Sequence, residues 1–575
     1  MAREDWVTSL PDWQQRIVAR QSLIPPLPLW QDRADRALRI FKRLRLVDVL
    51  GEPTMGEACA RWVFDFVRTI FGAYDQAAAR QVIREFLLLV AKKNGKSSIA
   101  AGIMVTALIM NERRQGEYLI LAPTKDVADN SFSPAFGMIN ADPVLKARFK
   151  PSAVTRVIEN RLDGASLSVK AADAETVGGQ KAIGILIDEL WLFGKKASAE
   201  NILSEATGSL AARPEGFVIY LSTESDEPPA GVFKKRLDYH RDVRDGLIVD
   251  PTSLPLIYEY PPDMLRAERW RDSETFYIPN PSLGHGVDLE WLSTEYRKKE
   301  TEGAGSLRLF IAKHLNVEIG MNLRGNRWPG ADYWEGQAER GLTREAVLDR
   351  CEVIVVGIDG GGLDDLFGLS VLGRERVESE FTITTDGVAK VYREKRWLLW
   401  SHAWCHRGVL TRRKIIASRL QDFALAGELT IVDDQLGDIS AMVDIVEEIK
   451  DRGLLGAVAA DPYSLGEFQN AMVTIGVTEE NKLLVGVGQG WRMMNAIKTA
   501  ERRLARGMLR HGGSGLMAWC VGNLKIEATA TAIRATKQGA GDQKIDPAMA
   551  MFDAIDIMST NPEATGKREL QYFFA

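Results

Sequence analysis

Cysteine is scarce in this chain. The four present, Cys59, Cys351, Cys405 and Cys520, are widely scattered and form no CxxC pair. That spacing argues against a disulfide framework and fits a reducing cytoplasm. His402, Cys405 and His406 sit close together, but no second pair completes a zinc set. The opening MAREDWVTSL has no apolar core of the kind a secretory leader needs. The longest apolar runs are strand-sized, so no segment is expected to cross a membrane. Internal repeats and low-complexity tracts are missing. Positive charge is not in excess either: the net charge is −5 and the pI about 5.9. Such a chain is no general polycation, so contact with nucleic acid has to come from local patches.

What is present is an ordinary globular composition, 45% hydrophobic and 26% charged. A length of 575 residues exceeds what one core holds and predicts two large domains. The most informative stretch is Phe86 to Ala101, FLLLVAKKNGKSSIAA. Its apolar run suits a buried parallel strand, and its Ala-rich end suits a helix. Between them Lys92, Lys93, Asn94, Gly95, Lys96, Ser97 and Ser98 form a loop ending in Gly-Lys-Ser-Ser. Strand, loop and helix in this order make a phosphate-binding P-loop, with Lys96 reaching the β- and γ-phosphates of ATP and Ser97 on Mg²⁺. The pattern departs from the usual one in having Val90 where a glycine opens the loop.

Further buried strands follow, each with polar groups at its end. Tyr118 to Leu121 leads into Ala-Pro-Thr-Lys and a helix. Ile183 to Leu190 reads IGILIDEL and ends in Asp188 and Glu189, 92 positions beyond Lys96. This is a Walker B pattern, in which Asp188 holds Mg²⁺ and Glu189 activates the attacking water. Phe217 to Glu224, FVIYLSTE, ends in Ser222 and Thr223, whose hydroxyls suit sensing of the γ-phosphate and coupling. Arg213, just before it, is a candidate sensor. Earlier, Ala60 to Tyr74 reads as an amphipathic helix ending at Gly72. Asp32 to Val49 reads as a helix with a basic face of Arg33, Arg36, Arg39, Lys42 and Arg43.

From Cys351 the texture changes. CEVIVVGIDGGG is a strand reaching Asp359, and Asp365 leads into LFGLSVLGR, a second strand able to form a hairpin with the first. Arg396 to His402, Leu429 to Val432 and Leu455 to Ala460 give three more strands, the last ending at Asp461. Lys544 to Ile555 opens a helix carrying Asp546 and Asp553. This is the order of an RNase H-like nuclease. Asp359, Asp461 and Asp546 are placed to hold two Mg²⁺ or Mn²⁺ ions about 4 Å apart for in-line attack on a phosphodiester. Asp365 is the auxiliary acid, whereas Asp433, Asp434 and Asp553 read as turn or helix-face residues. Arg503, Arg506 and Arg510 share one helical face, either solvated or tracking phosphates.

The fold class expected is therefore α/β: a RecA-like P-loop ATPase domain with a parallel sheet, then an RNase H-like nuclease domain. The boundaries expected are a helical arm at 1–54, an ATPase core at 55–250, an associated subdomain and linker at 251–350, a nuclease at 351–560 and a tail at 561–575.

AKKNGKSS, LAPTKDVAD, ILIDEL, Arg213 followed by LSTES, NPSLG, IDGGGLDDLFGLSVLG, AADPYS and KIDPAMA together resemble the large terminase subunit of tailed bacteriophages, most closely its HK97-like branch, over roughly residues 50–560. The resemblance implies a viral genome-packaging motor that pumps double-stranded DNA into a procapsid and cuts concatemeric DNA. Its implied partners are a portal protein, a small terminase subunit and copies of itself in a ring, commonly a pentamer. It implies work in the host cytoplasm, docked at the portal. It also implies an arginine acting across subunits, for which Arg161, Lys181 and Arg213 are the candidates. Val90 at the first loop position is similar to other members of this branch. A helicase–nuclease of repair or restriction, or a DNA clamp that grips without cutting, are the alternatives.

Overall fold

The computed structural model describes residues 6–171, 181–196, 198–318, 328–385, 388–434, 436–461, 466–528, 533–537 and 543–567. The chain forms two compact units, Met1–Ile319 and Gly320–Ala575.

The first unit is organised on a sheet of strands β1 (Glu85–Leu89), β2 (Glu117–Ala122), β3 (Phe149–Ser152), β4 (Val157–Asn160), β5 (Ser166–Ala171), β6 (Ala182–Ile187), β7 (Phe217–Ser222) and β8 (Ser253–Ile257). Their order is β8-β1-β7-β6-β2-β5-β4-β3. The six from β8 to β5 are mutually parallel, and β4 and β3 add antiparallel pairs at one edge. β1, β6 and β7 read as unbroken apolar runs because both faces of the sheet are covered.

Helices α1 (Gln31–Arg43), α2 (Arg61–Gly72), α3 (Lys96–Ile109), α4 (Lys125–Ala141), α5 (Gly231–Asp245), α6 (Leu289–Glu302) and α7 (Ala304–Leu315) complete this unit's main frame. α3 is apolar around its circumference and buried along most of its length, as a central helix must be. α1 lays Phe41 against it: a side chain at Gly102 would meet the Phe41 ring at 2.8 Å.

Three features differ from expectation. α1 stops at Arg43, not Val49, because Leu44 turns extended and Arg45 bridges to Thr54. Between α4 and β6 the antiparallel β3-β4-β5 edge is added to the parallel sheet that was expected. The stretch 251–350 is divided between the units. β8 hydrogen-bonds to β1 in the first sheet, while Trp328 and Trp334 are buried in the core of the second unit, Trp328 edge-on to Phe552 at 5.2 Å. The first two arise from pairing with a nearby segment, the third from pairing and packing with segments distant in the chain.

The second unit holds β9 (Cys351–Gly360), β10 (Phe367–Thr385), β11 (Val388–His406), β12 (Leu429–Val432), β13 (Leu455–Ala460), β14 (Leu484–Gly486) and β15 (Leu509–His511). The order is β12-β11-β10-β9-β13-β14, with β15 beside β11. β9-β10-β11 are antiparallel, and β13 runs parallel to β9. Side chains of β9 alternate between two cores. Val353 and Val355 face α9 (Met494–Ala505) and α10 (Asp546–Met558), while Ile354, Val356 and Ile358 face α8 (Gly437–Asp451). The β10–β11 hairpin is far longer than the short strands expected. Arg503 on α9 lies 3.6 Å over the Trp397 ring and pairs with Glu394, so it braces this unit's core rather than a phosphate track.

Candidate functional site

In the first unit the chemistry gathers at the carboxyl ends of β1, β6 and β7. β1 runs into the loop Val90–Gly95, and α3 starts at Lys96. Gly95 has φ +75°, and this left-handed turn swings the chain into the helix. No side chain caps α3, so its first-turn N–H groups remain for an anion. Lys92, Lys93 and Gly95 are exposed, Ser97 and Ser98 half-buried, and Asn94 and Lys96 buried.

The loop is held from behind by the NPSLG segment. Asn94 Nδ2 donates to Ala91 O at 2.9 Å and to Asn280 Oδ1 at 2.7 Å. Ser282 N donates to Asn94 Oδ1 at 3.0 Å, and Ser282 Oγ to Asn94 O at 3.2 Å. Asn280 in turn donates to Phe276 O and His314 O. Val90 is fully buried, and its N–H donates to Ser222 O at 3.1 Å. The residue standing in for glycine thus extends β1, and the phosphate-facing turn begins after it.

Asp188 and Glu189 follow β6. Asp188 is fully buried, accepts from Ser131 Oγ at 2.6 Å and from Glu189 N at 2.9 Å, and burial pushes its carboxyl above the usual range. Glu189 sits at φ +53°, uncommon for a residue with a side chain. It pairs with Lys96 Nζ and accepts from Trp191 Nε1 at 2.5 Å. Burial opposes its charge, but Lys96, Trp191 and the ammonium of Lys313 together hold its carboxyl below the usual range. Ser222 Oγ accepts from Trp191 N at 3.1 Å and donates to Thr223 O at 2.8 Å. Ser222 therefore touches both segments, the loop through its backbone carbonyl and the stretch after β6 through its hydroxyl. Lys313 on α7 was not found from the sequence, since no motif contains it. Burial lowers its ammonium to about 8.

Arg213, Arg161 and Lys181 precede β7, follow β4 and precede β6, which places all three at the amino-terminal edge of the parallel strands. A six-residue strand spans about 17–20 Å, so within one chain none reaches the loop, and the expectation of Arg213 as a sensor in its own subunit fails on that distance. Beside the loop anchor a cavity of about 480 Å³ is lined by Arg20, Arg61, Trp62, Tyr258, Tyr277 and Asn280, among others.

The second unit gathers acids. Ile358 and Ala460 are register partners on parallel strands, so Asp359 and Asp461 are neighbours at the strand ends. α10 crosses β9 and β10 closely enough that a side chain at Gly357 would meet Ala550 O at 1.9 Å, and one at Gly368 would meet Pro547 N at 2.5 Å. That approach brings the buried Asp546 beside Gly360. It also corrects the reading of Asp553 as a helix-face acid. Asp553 is fully buried, and burial together with Asp359 and Asp461 pushes its carboxyl well above the usual range, Gln489 opposing with a 3.2 Å hydrogen bond. Its Oδ2 is buried with no hydrogen-bond partner. The seven-residue spacing of Asp546 and Asp553, two turns on one helical face, was the signal in the sequence. Asp365 is ion-paired with Lys544 at 2.5 Å.

Among the described residues no three His, Cys, Asp or Glu side chains already stand in a metal-holding set. The donors nonetheless suit a hard divalent cation: carboxylates that repel one another, one with a buried oxygen lacking any protein donor. His402 and His406 face away from Cys405 by strand alternation. His402 Nε2 bonds Thr430 Oγ1, and His406 lies 3.5 Å from Asp438.

Two family models match the chain in sequence: the terminase large subunit ATPase domain over residues 63–239 and the terminase large subunit endonuclease domain over residues 406–561. The chain is 23% identical over 547 residues to the terminase large subunit of Enterobacteria phage HK97, covering 93% of this chain and 96% of that protein. It is 23% identical over 319 residues to protein YmfN of Escherichia coli strain K12, covering 52% of this chain and 65% of that protein. The crystal structure of the HK97 large terminase is similar with a TM-score of 0.45 and 20% identity, over 91% of this chain and 99% of that one. The two family models lie in chain order on the two units described above and together span more than half of the sequence. The chain belongs to the terminase large subunit family and carries its ATPase and endonuclease domains.

Proposed function

We propose that this chain is the motor and the cutter of phage DNA packaging, with ATP bound at Lys92–Ser98 and a two-metal site at Asp359, Asp461, Asp546 and Asp553. The observation that carries the reading is the Lys96–Glu189 pair beside Asp188 and Ser222 at adjoining strand ends. The α3 N–H groups and Lys96 would hold the phosphates, and Ser97 and Asp188 would hold a divalent cation. Glu189 would take the proton of the attacking water as its oxygen bonds to the γ-phosphorus and the bridging oxygen leaves with ADP. Ser222 and Thr223 would report the outcome along β7. The aromatic rings and Arg20 of the neighbouring cavity offer stacking to the purine. Mg²⁺ or Mn²⁺, when bound, supplies positive charge for the phosphates at both sites. At the second, Asp359 and Asp461 would be the primary ligands and Asp546 and Asp553 would close the set. Asp365 would be an outer acid shared with Lys544.

Double-stranded DNA would be both what the motor moves and what the nuclease cuts. A portal protein, a small terminase subunit and further copies of this chain in a ring, commonly of five, would be its partners at the procapsid in the host cytoplasm. Arg161 or Arg213 of one subunit would serve the ATP site of the next.

The test is separation of activities in one preparation. Glu189→Gln should lower ATP hydrolysis at least about 10²-fold and leave Mn²⁺-dependent plasmid nicking intact. Asp461→Asn should do the reverse. Nicking that survives Asp461→Asn, or ATP turnover that survives Glu189→Gln, removes the corresponding half of the reading.

A further inference from the structure

Helix α7 delivers a cation to the catalytic edge from outside every motif in the sequence. Lys313 Nζ lies 3.1 Å from the centre of the Trp191 ring and donates to Glu224 O at 2.8 Å. The same Trp191 donates through Nε1 to Glu189 Oε2 at 2.5 Å and through its backbone N–H to Ser222 Oγ at 3.1 Å. The backbone carbonyl of Lys313 accepts from Lys92 N at 2.7 Å. One residue therefore touches the phosphate loop, the indole that holds Glu189, and the segment after the coupling hydroxyls. The titratable groups around its ammonium are Asp226, Glu189, Lys195 and Glu224, from the segments after β6 and β7. Asp226 is itself paired with Lys195 at 2.8 Å.

The need for a second hold on Glu189 follows from the pairing of Lys96. A bound triphosphate draws on the same ammonium that now faces Glu189. A carboxylate with only 18% of its side chain exposed, deprived of that ion pair, is free to swing toward water unless another contact holds it in place. The Trp191 Nε1–H, itself braced by Lys313, is that contact.

We propose that Lys313 is a positioning residue for ATP hydrolysis, fixing the Trp191–Glu189 arm once Lys96 turns to phosphate. The proposal rests on the reading of Glu189 as the base. Lys313 touches no reacting atom and acts through Trp191.

The experiment is steady-state ATP hydrolysis by the full-length protein. Lys313→Met should lower kcat roughly tenfold or more while KM for ATP stays within about threefold. Lys313→Arg should restore most of kcat, because arginine keeps the charge and stacks on an indole. Wild-type kcat in Lys313→Met overturns the proposal, and so does a Lys313→Arg protein as slow as Lys313→Met at unchanged Tm. If Lys313→Met fails to fold, Trp191→Phe carries the test. It keeps an aromatic face and removes the N–H, so kcat should fall at constant KM, and an unchanged kcat overturns the arm. Glu189→Gln separates the two levels. An inactive Glu189→Gln beside a fully active Lys313→Met sinks the proposal alone, whereas an active Glu189→Gln sinks the reading beneath it.

Discussion

The two chemical sites of this protein handle buried charge in opposite ways. At the end of β1 and β6, opposite charges are already matched: Lys96 faces Glu189, Trp191 and Lys313 support it, and Ser131 satisfies Asp188. At the end of β9 and β13, like charges are packed together, with Asp359 and Asp461 against the fully buried Asp553. The first site is self-neutralised and, on the proposed function, would work by exchanging partners when a phosphate arrives. The second is electrostatically incomplete and would gain its balance from cations. A matched pair is costly to break from one side, and a repelling set is relieved by removing a member.

That contrast sets the expected order of effects. Lys96→Met should be the most damaging, lowering ATP hydrolysis by about 10²-fold or more and leaving Glu189 without its ion pair, readable as lost turnover together with a lower Tm. Asp553→Asn should go the other way on stability. Cutting in Mn²⁺ should fall by about tenfold, while Tm at pH 7 stays level or rises, because a buried repelling carboxyl becomes neutral. A lower Tm with full nicking would break the comparison. Asn280→Ala removes one of the hydrogen bonds that hold the loop from behind, together with the two that anchor Asn280 to Phe276 and His314. It should cost about 1–3 kcal/mol by denaturant titration and raise KM for ATP more than it lowers kcat.

The mildest effect is the pH dependence of stability. His240, His314, His402 and His511 are held neutral by burial, each with its pKa lowered to about 4. The unfolded chain binds those protons near pH 6.5. Their contribution is therefore full above that pH and is lost as pH falls from about 6.5 through 4, with a Tm that drops over this window. Glu224 works against this trend. Burial and the nearby Glu318 and Glu259 raise it to about 8, so its ionisation costs stability as pH climbs toward 8. Glu224→Gln should flatten the alkaline side of the Tm profile, and an unchanged profile would remove Glu224 from the account.

Much of this was legible in the chain. Local patterns placed β1, β2, β6, β7, β9 and β13 within a few residues, because buried parallel strands read as apolar runs whose ends carry polar chemistry. The helix Arg61–Gly72 ended where its glycine indicated. The antiparallel β3-β4-β5 edge and the full length of the β10–β11 hairpin were not legible. Each pairs with its neighbour in the chain, but FKPS, VIEN and the RERVESE and VYREKR stretches lack the apolar runs that mark a buried strand. Arg213 and Arg161 show the same limit from the other side. The residue types were right for a phosphate, but strand direction puts them at the far edge of the sheet.

By itself the sequence determined which residues could carry phosphate and metal chemistry, and in what order along the chain. Glycine, lysine, serine and paired acids at strand ends have few other physical uses in that arrangement. Tertiary structure alone decided the company those residues keep. It brought Asn280 behind the loop from 186 positions away, and Lys313 over Trp191 from another helix. It turned Asp553 from a surface acid into a buried one, because glycines at 357 and 368 let α10 settle onto β9 and β10. A side chain's charge is written in the sequence. Its solvation and its neighbours are settled only when distant segments close around it.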